Sequence, residues 1–183
     1  IGVLVGSLRK GSYSRAVAKA LMSTLEDGYE AEIIELGDLP IYNQDFEIEN
    51  KVPESYTTFR NKLDEMDGFV FVTPEYNRSV PALMKNAIDV GSRPYGESKW
   101  DGKPGLIVSV SPSDMGAFGA NHHLRQSFVF LNIDVIQQPE AYVRNVAEFI
   151  DDDGKITDES MLNRLASYAK ALTDRIALHD MAK

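Results

Sequence analysis

The chain has 183 residues, 28 acidic side chains against 19 basic ones for a formal net charge of −9, and no cysteine. That balance disfavours nucleic acid or an anionic membrane surface as a partner, and the missing thiol excludes disulfides, thiolate metal sites and a cysteine nucleophile. No apolar run approaches the ~20 residues of a membrane span, and one domain over residues 1–183 is expected, since a chain of this size buries roughly 70% of its unfolded surface without staples.

The first element is the apolar run Ile1–Val5, which reads as a buried strand. It feeds the loop Gly6-Ser7-Leu8-Arg9-Lys10-Gly11-Ser12 before a helical pattern begins at Ser14. Strand, small polar loop and helix start, in that order, favour an anion, because first-turn N–H groups are unpaired and the positive end of the helix dipole lies there. Gly6 and Gly11 allow close backbone approach, Ser7, Ser12 and Ser14 offer hydroxyls, and Arg9, Lys10 and Arg15 offer charge. The glycine spacing mimics a triphosphatase loop, but Ser12-Tyr13 stand where Lys and Ser/Thr are required. No glycine falls at position 8, so the dinucleotide fingerprint fails as well. Two readings remain: a loop for a single phosphate, such as the tail of flavin mononucleotide, or an ordinary βα turn with a basic rim.

The helix Ser14–Leu25 follows, with Val17, Leu21 and Leu25 on one face, and then a strand over Glu32–Leu36. The acidic stretch Glu47–Glu54 reads as a solvated loop leading into the helix Ser55–Met66, whose apolar face is Phe59, Leu63 and Met66. The strand Gly68–Thr73 opens a second loop, Thr73-Pro74-Glu75-Tyr76-Asn77-Arg78-Ser79-Val80-Pro81. Here Tyr76 suits a flat ring, Asn77 and the loop amides suit heteroatoms on its edge, and the prolines pre-organise the backbone. A rigid polar connection explains the same residues.

The helix Pro81–Val90 carries Leu83, Ala87 and Val90, and the strand Gly105–Val110 leads to a third loop, Ser111–Gly119, rich in small residues. The helix Asn121–Leu131 (Leu124, Phe128, Leu131) precedes a fifth strand at Ile133–Ile136 that continues at Ala141–Val143. After the turn Asp152-Asp153-Gly154, Thr157 or Asp158 caps a last helix to Ala177, with Leu162, Leu165, Ala169, Leu172 and Ile176 inward. His122 and His123 are adjacent and diverge by ~100° on a helix, so no metal site is expected. Arg78 and Arg93 have two readings, contact with a cofactor's phosphates or generic surface charge, and the second is favoured.

Continuously apolar strands alternating with helices imply an α/β fold with a parallel sheet covered on both faces. Five strands and five helices fit a flavodoxin-like three-layer sandwich of strand order 2-1-3-4-5, which brings the three polar loops together at the strand C-termini.

The segments Gly6–Ser12, Thr73-Pro74-Glu75-Tyr76-Asn77 with Ser79-Val80-Pro81, Lys85-Asn86-Ala87-Ile88-Asp89, Gly102-Lys103-Pro104 and His123-Leu124-Arg125-Gln126 span most of the chain. In this order they resemble the NADPH-dependent FMN reductases of flavodoxin-like fold, in particular the bacterial quinone and chromate reductase branch. The resemblance implies non-covalent FMN whose phosphate is held by Ser7, Arg9, Ser12 and Ser14, with Arg15 adding charge. Pro74, Glu75, Tyr76 and Asn77 would line the isoalloxazine, with Ser111 nearby. NADPH or NADH would be co-substrate, giving hydride to flavin N5. Two electrons would then pass in ping-pong order to quinones, flavins or acceptors such as chromate, with no catalytic side chain assigned. Tyr76, Arg125 and Glu140 match polar residues of a subunit interface near the flavin, so a dimer or homotetramer is implied, in the cytoplasm. Ser14 stands where relatives often carry Asn. A flavodoxin-type electron carrier and a non-enzymatic flavin sensor or partner-binding domain share the same scaffold and are the competing readings.

Overall fold

The valine-, isoleucine- and phenylalanine-rich runs form strands because both faces of each pleat are apolar and both find a helical cover. The computed structural model describes residues 1–181. Its strands are β1 (Gly2–Val5), β2 (Glu32–Ile34), β3 (Phe69–Thr73), β4 (Pro104–Val110), β5 (Asp134–Val135) and β6 (Ala141–Val143). The helices are α1 (Tyr13–Met22), α2 (Asp45–Ile48), α3 (Glu54–Asp64), α4 (Ala82–Gly91), α5 (Phe118–Phe130) and α6 (Glu159–Met181). All pairings are parallel, in the order β2-β1-β3-β4-β5. This is the expected flavodoxin-like topology.

Alternate strand residues serve opposite layers. Val3, Val5, Val70, Val72, Leu106 and Val108 meet α1 and α6, while Leu4, Phe69, Phe71 and Ile107 meet α3, α4 and α5. Trp100 anchors the second layer: it is fully buried, its ring centroid lies 4.9 Å from that of Phe69, and its indole N–H donates to the Ile88 carbonyl at 2.9 Å.

Three expectations are corrected. The fifth sheet position is shared by two short strands: β5 pairs with Pro104 and Gly105 at the start of β4, and β6 with Val108–Val110 at its end. Pro139, which has no N–H to give a ladder, lies between them. The acidic stretch is not wholly a solvated loop either. One-turn helix α2 brings Glu47 to the Arg60 guanidinium, and Arg60 is only 6% exposed and also donates to the Val90 carbonyl. On α4 the deepest side chains are Met84, Ala87, Ile88 and Val90, with Leu83 only partly buried, because this helix is covered on more than one side. The cap of α6 is Asp158, whose carboxylate accepts from the Met161 N–H at 2.8 Å.

Candidate functional site

The strand order sets the C-termini of β1, β3 and β4 side by side, and the loops that follow them touch. The Gly6 N–H donates to the Val72 carbonyl at 2.9 Å. A Cβ on Gly6 would sit 3.0 Å from Pro74 Cδ, so glycine is what lets the first loop lie against the second. Gly11 is different: a Cβ there would meet nothing within 4 Å, and its smallness is not required by the protein's own packing.

In the first loop Ser7, Ser12 and Ser14 are 6%, 6% and 2% exposed, while Arg9, Lys10 and Gly11 face solvent. Ser12 is the N-cap of α1, its hydroxyl accepting from the Arg15 N–H at 3.2 Å. The Ser7 hydroxyl accepts from the Arg9 N–H at 3.4 Å. Tyr13 and Ser14 precede the first intrahelical bond, Ala16 N–H to the Ser12 carbonyl, so their N–H groups have no acceptor within the helix. The Ser14 hydroxyl makes no hydrogen bond among the described residues although the residue is almost fully buried. An unpartnered hydroxyl on a nearly buried residue, beside helix N–H groups without an intrahelical acceptor, is a donor set that fits a phosphate monoester.

The basic side chains divide. The Arg15 guanidinium is bidentate to Glu35, at 2.9 and 2.7 Å, and its hydrogen bonds hold the Glu35 carboxyl below the usual carboxylate range. Arg15 therefore supports the loop from β2 rather than standing free at its mouth. Arg9 has no ion-pair partner among the described residues, and its guanidinium lies 5.9 Å from the centroid of the Tyr13 ring.

The second loop is a tight hairpin turn. Tyr76 and Ser79 exchange both backbone hydrogen bonds, at 3.1 and 3.0 Å, around Asn77 and Arg78, which have φ of 51° and 64°. Two successive left-handed residues inside such a pair make a type I′ turn. Tyr76 is 49% exposed at its shoulder. The Glu75 carboxylate, 11% exposed, accepts from the Ala120 N–H at 3.0 Å in the first turn of α5. Glu75 thus offers the site its backbone, its carboxylate being committed to the helix. Ser79 Oγ lies 2.9 Å from His123 Nδ1.

A Cβ on Gly119 would lie 2.7 Å from the Arg78 carbonyl oxygen. Backbone cannot yield as a flexible side chain does, so Gly119→Ala is expected to displace the Tyr76–Ser79 turn. It should weaken flavin binding by about tenfold, more than a surface change of this kind alters stability. Unchanged flavin affinity in a fluorescence titration would show that the turn is not part of the site.

In the third loop Ser111 Oγ accepts from the Ser113 N–H at 3.1 Å and lies 2.8 Å from Ser113 Oγ. The Gly116 carbonyl accepts from Ser109 Oγ at 2.7 Å. The expected interface residues differ in their surroundings. Tyr76 and Glu140 are exposed, but Arg125 is engaged within the protomer with Asn121 Oδ1 at 2.9 Å and Gln137 Oε1 at 3.1 Å. Glu140 accepts from the Tyr142 hydroxyl at 2.9 Å, and burial together with that carboxylate pushes the phenol up to about 12. With its one proton given to Glu140, the Tyr142 oxygen accepts from His122 Nε2 at 2.9 Å.

Sequence reasoning named Asn86 within the Lys85–Asp89 segment but gave it no role. Its amide ties down the loop after β2, accepting from the Tyr42 N–H at 2.8 Å and donating to the Pro40 carbonyl at 2.9 Å. The lone Asn in an otherwise apolar buried face of α4 was the available signal. Among the described residues no helix is long and apolar enough to cross a membrane, and no cluster of three or more metal-ligating side chains occurs.

The profile of the NADPH-dependent FMN reductase family matches residues 1–148. The chain is 51% identical over 176 residues to a quinone reductase of Pseudomonas putida, covering 93% of this chain and 94% of that one. It is 39% identical over 168 residues to a 2-hydroxy-1,4-benzoquinone reductase of Burkholderia, covering 92% and 91%. Among solved structures, the flavoenzyme NAD(P)H:(acceptor) oxidoreductase FerB of Paracoccus denitrificans superposes with a TM-score of 0.89 at 37% identity, over 97% of each chain.

Proposed function

This chain belongs to the NADPH-dependent FMN reductase family, and on that premise we propose that the cleft between its three loops binds FMN and serves NAD(P)H-dependent reduction of quinones. FMN, when bound, supplies a two-electron relay between NAD(P)H and the acceptor, in ping-pong order at one shared cleft. Ser7, Ser12, Ser14 and Arg9 hold its phosphate, and the N–H groups at the start of α1 add the helix dipole. Pro74, Tyr76 and Asn77 line the ring, with Glu75 contributing backbone and Ser111 closing the far side. Arg15 acts one step back, through Glu35.

The observation that carries the reading is the Ser14 hydroxyl at the start of α1, without a partner among the described residues on a residue only 2% exposed. No proton-transfer residue is needed, because positioning and exclusion of water are the protein's share of such chemistry. Chromate is a further acceptor, Tyr76, Arg125 and Glu140 belong to a dimer or homotetramer interface, and the enzyme works in the cytoplasm.

The purified protein is expected to show the two visible flavin bands and to lose them on addition of NADPH without air, regaining them when a quinone is added. Bands that persist with NADPH would make it a carrier or sensor. Protein that stays colourless after incubation with FMN would remove the flavin reading. A column mass of two or four protomers at micromolar concentration is expected alongside, and a monomer would remove the interface.

A further inference from the structure

Arg78 does not behave as ordinary surface charge. Its φ of 64° lies in the left-handed region, where a non-glycine side chain costs of order 1 kcal/mol that glycine would avoid. Nor is it carried on a mobile tip. The turn is closed by the two Tyr76–Ser79 backbone bonds and braced by Glu75 on the Ala120 N–H. His123 meets Ser79, and Gly119 packs beneath the Arg78 carbonyl. From this fixed base the guanidinium stands 74% exposed, and its one ion-pair contact among the described residues is a long one, 3.3 Å to Glu75 Oε1. The Glu75 carboxylate is itself occupied at the N-terminus of α5, so the arginine keeps most of its five donors free.

A strained, rigidly mounted and nearly free guanidinium two residues from Tyr76, on a chain of net charge −9, is suited to catching an anion that comes and goes. The Arg78 carbonyl packs on Gly119, where the third loop enters α5, whereas the first loop meets the second at Pro74, four residues earlier. The flavin phosphate is assigned to the first loop, which leaves Arg78 for another anion. The phosphate-bearing molecule that every turnover brings to this mouth is the dinucleotide reductant.

We propose that Arg78 is a specificity-determining residue that binds a phosphate of NAD(P)H, either the 2′-phosphate of NADPH or the diphosphate common to both nucleotides. The inference rests on the co-substrate proposed above. Arg guanidinium pairs with phosphate in a bidentate, charge-assisted manner, and a bond of this kind sets roughly a tenfold change in affinity at an exposed site.

The test is steady-state kinetics of the FMN-loaded holoenzyme with a fixed quinone and varied NADPH or NADH. Arg78→Gly is the chosen variant, because glycine relaxes the left-handed position and leaves the turn intact. The expected result is a KM for NADPH raised about tenfold, with Arg78→Lys recovering part of the loss as a point charge without the fork. A rise confined to NADPH assigns the 2′-phosphate, and an equal rise with NADH assigns the diphosphate. A KM for both nucleotides within about twofold of the parent overturns the inference while leaving the enzyme's reaction intact. Loss of FMN from Arg78→Gly also overturns it, by moving Arg78 into the flavin site. If the parent holoenzyme oxidises neither nucleotide, the reaction itself fails, and this inference with it.

Discussion

Replacing Arg9 with alanine is expected to weaken FMN binding by about 10–100-fold, the range set by losing a charge-assisted bond to a phosphate. The first loop carries three cations, but they are not equivalent. Arg15 is neutralised by two hydrogen bonds to Glu35. Lys10 is a point charge on a flexible stem and shares its surroundings with Asp151, Asp152 and Asp153, which wall the same cavity. Arg9 alone combines a free guanidinium with a resting place on the Tyr13 ring, at the first residue of α1. Because it is exposed and makes no ion pair among the described residues, its removal should change stability of the flavin-free protein by no more than about 0.5 kcal/mol. A fluorescence titration of FMN into apoprotein measures the effect. Affinity equal to the parent's would mean that the serine hydroxyls and helix N–H groups hold the phosphate alone.

Trp100→Ala should be the most damaging single change to the fold. The indole is fully buried among Phe59, Phe69 and Phe71, with centroid distances of 6.3, 4.9 and 5.7 Å. Truncating such a residue leaves a cavity and costs about 3–5 kcal/mol. The Ile88 carbonyl would lose its indole partner as well. Against a total stability of about 5–15 kcal/mol, this is roughly a fifth or more of what holds a domain together. The consequence would reach the site, since Phe71 stands two residues before Thr73 and the loop that lines the flavin. Denaturant unfolding followed by far-ultraviolet circular dichroism reads the loss. A shift worth less than about 1 kcal/mol would mean that the surrounding aromatic rings collapse into the space.

The layers of this fold were legible because they depend on local periodicity. Four apolar runs gave four strands within one or two residues, and helix spacing found α1, α3, α4, α5 and α6. What escaped depends on partners far apart in the chain. Helix α2 is one turn long and is held by an ion pair between Glu47 and Arg60, which no local pattern displays. Arg15 and Glu35 are 20 residues apart, and Glu75 and Ala120 are 45 apart, so the use of those side chains could not be read from the loops alone. The hairpin at Asn77-Arg78 was hidden for a different reason: its second residue is arginine where glycine usually marks a type I′ turn. The phosphate cradle was the easiest part of the site to read, because it follows from a strand, a serine-rich loop and a helix start within 15 residues. The ring-lining loop was legible in position but not in shape.

The sheet is long within and short at its rims. Inner strand β4 runs seven residues and β3 five, whereas one border is the three-residue β2 and the other is divided between β5, of two residues, and β6, of three. A border strand offers unpaired N–H and C=O groups, and a long flat one is a template on which a stranger's strand can grow. Here neither border is long enough to seed that growth, and on the side of β4 the break around Pro139 interrupts it further. The apolar segments most prone to stack into cross-β fibrils, such as Phe69–Val72 and Leu106–Val108, are the ones locked in the middle. The division of the fifth strand, which looks like an imperfection in the topology, thereby guards the folded chain against aggregation.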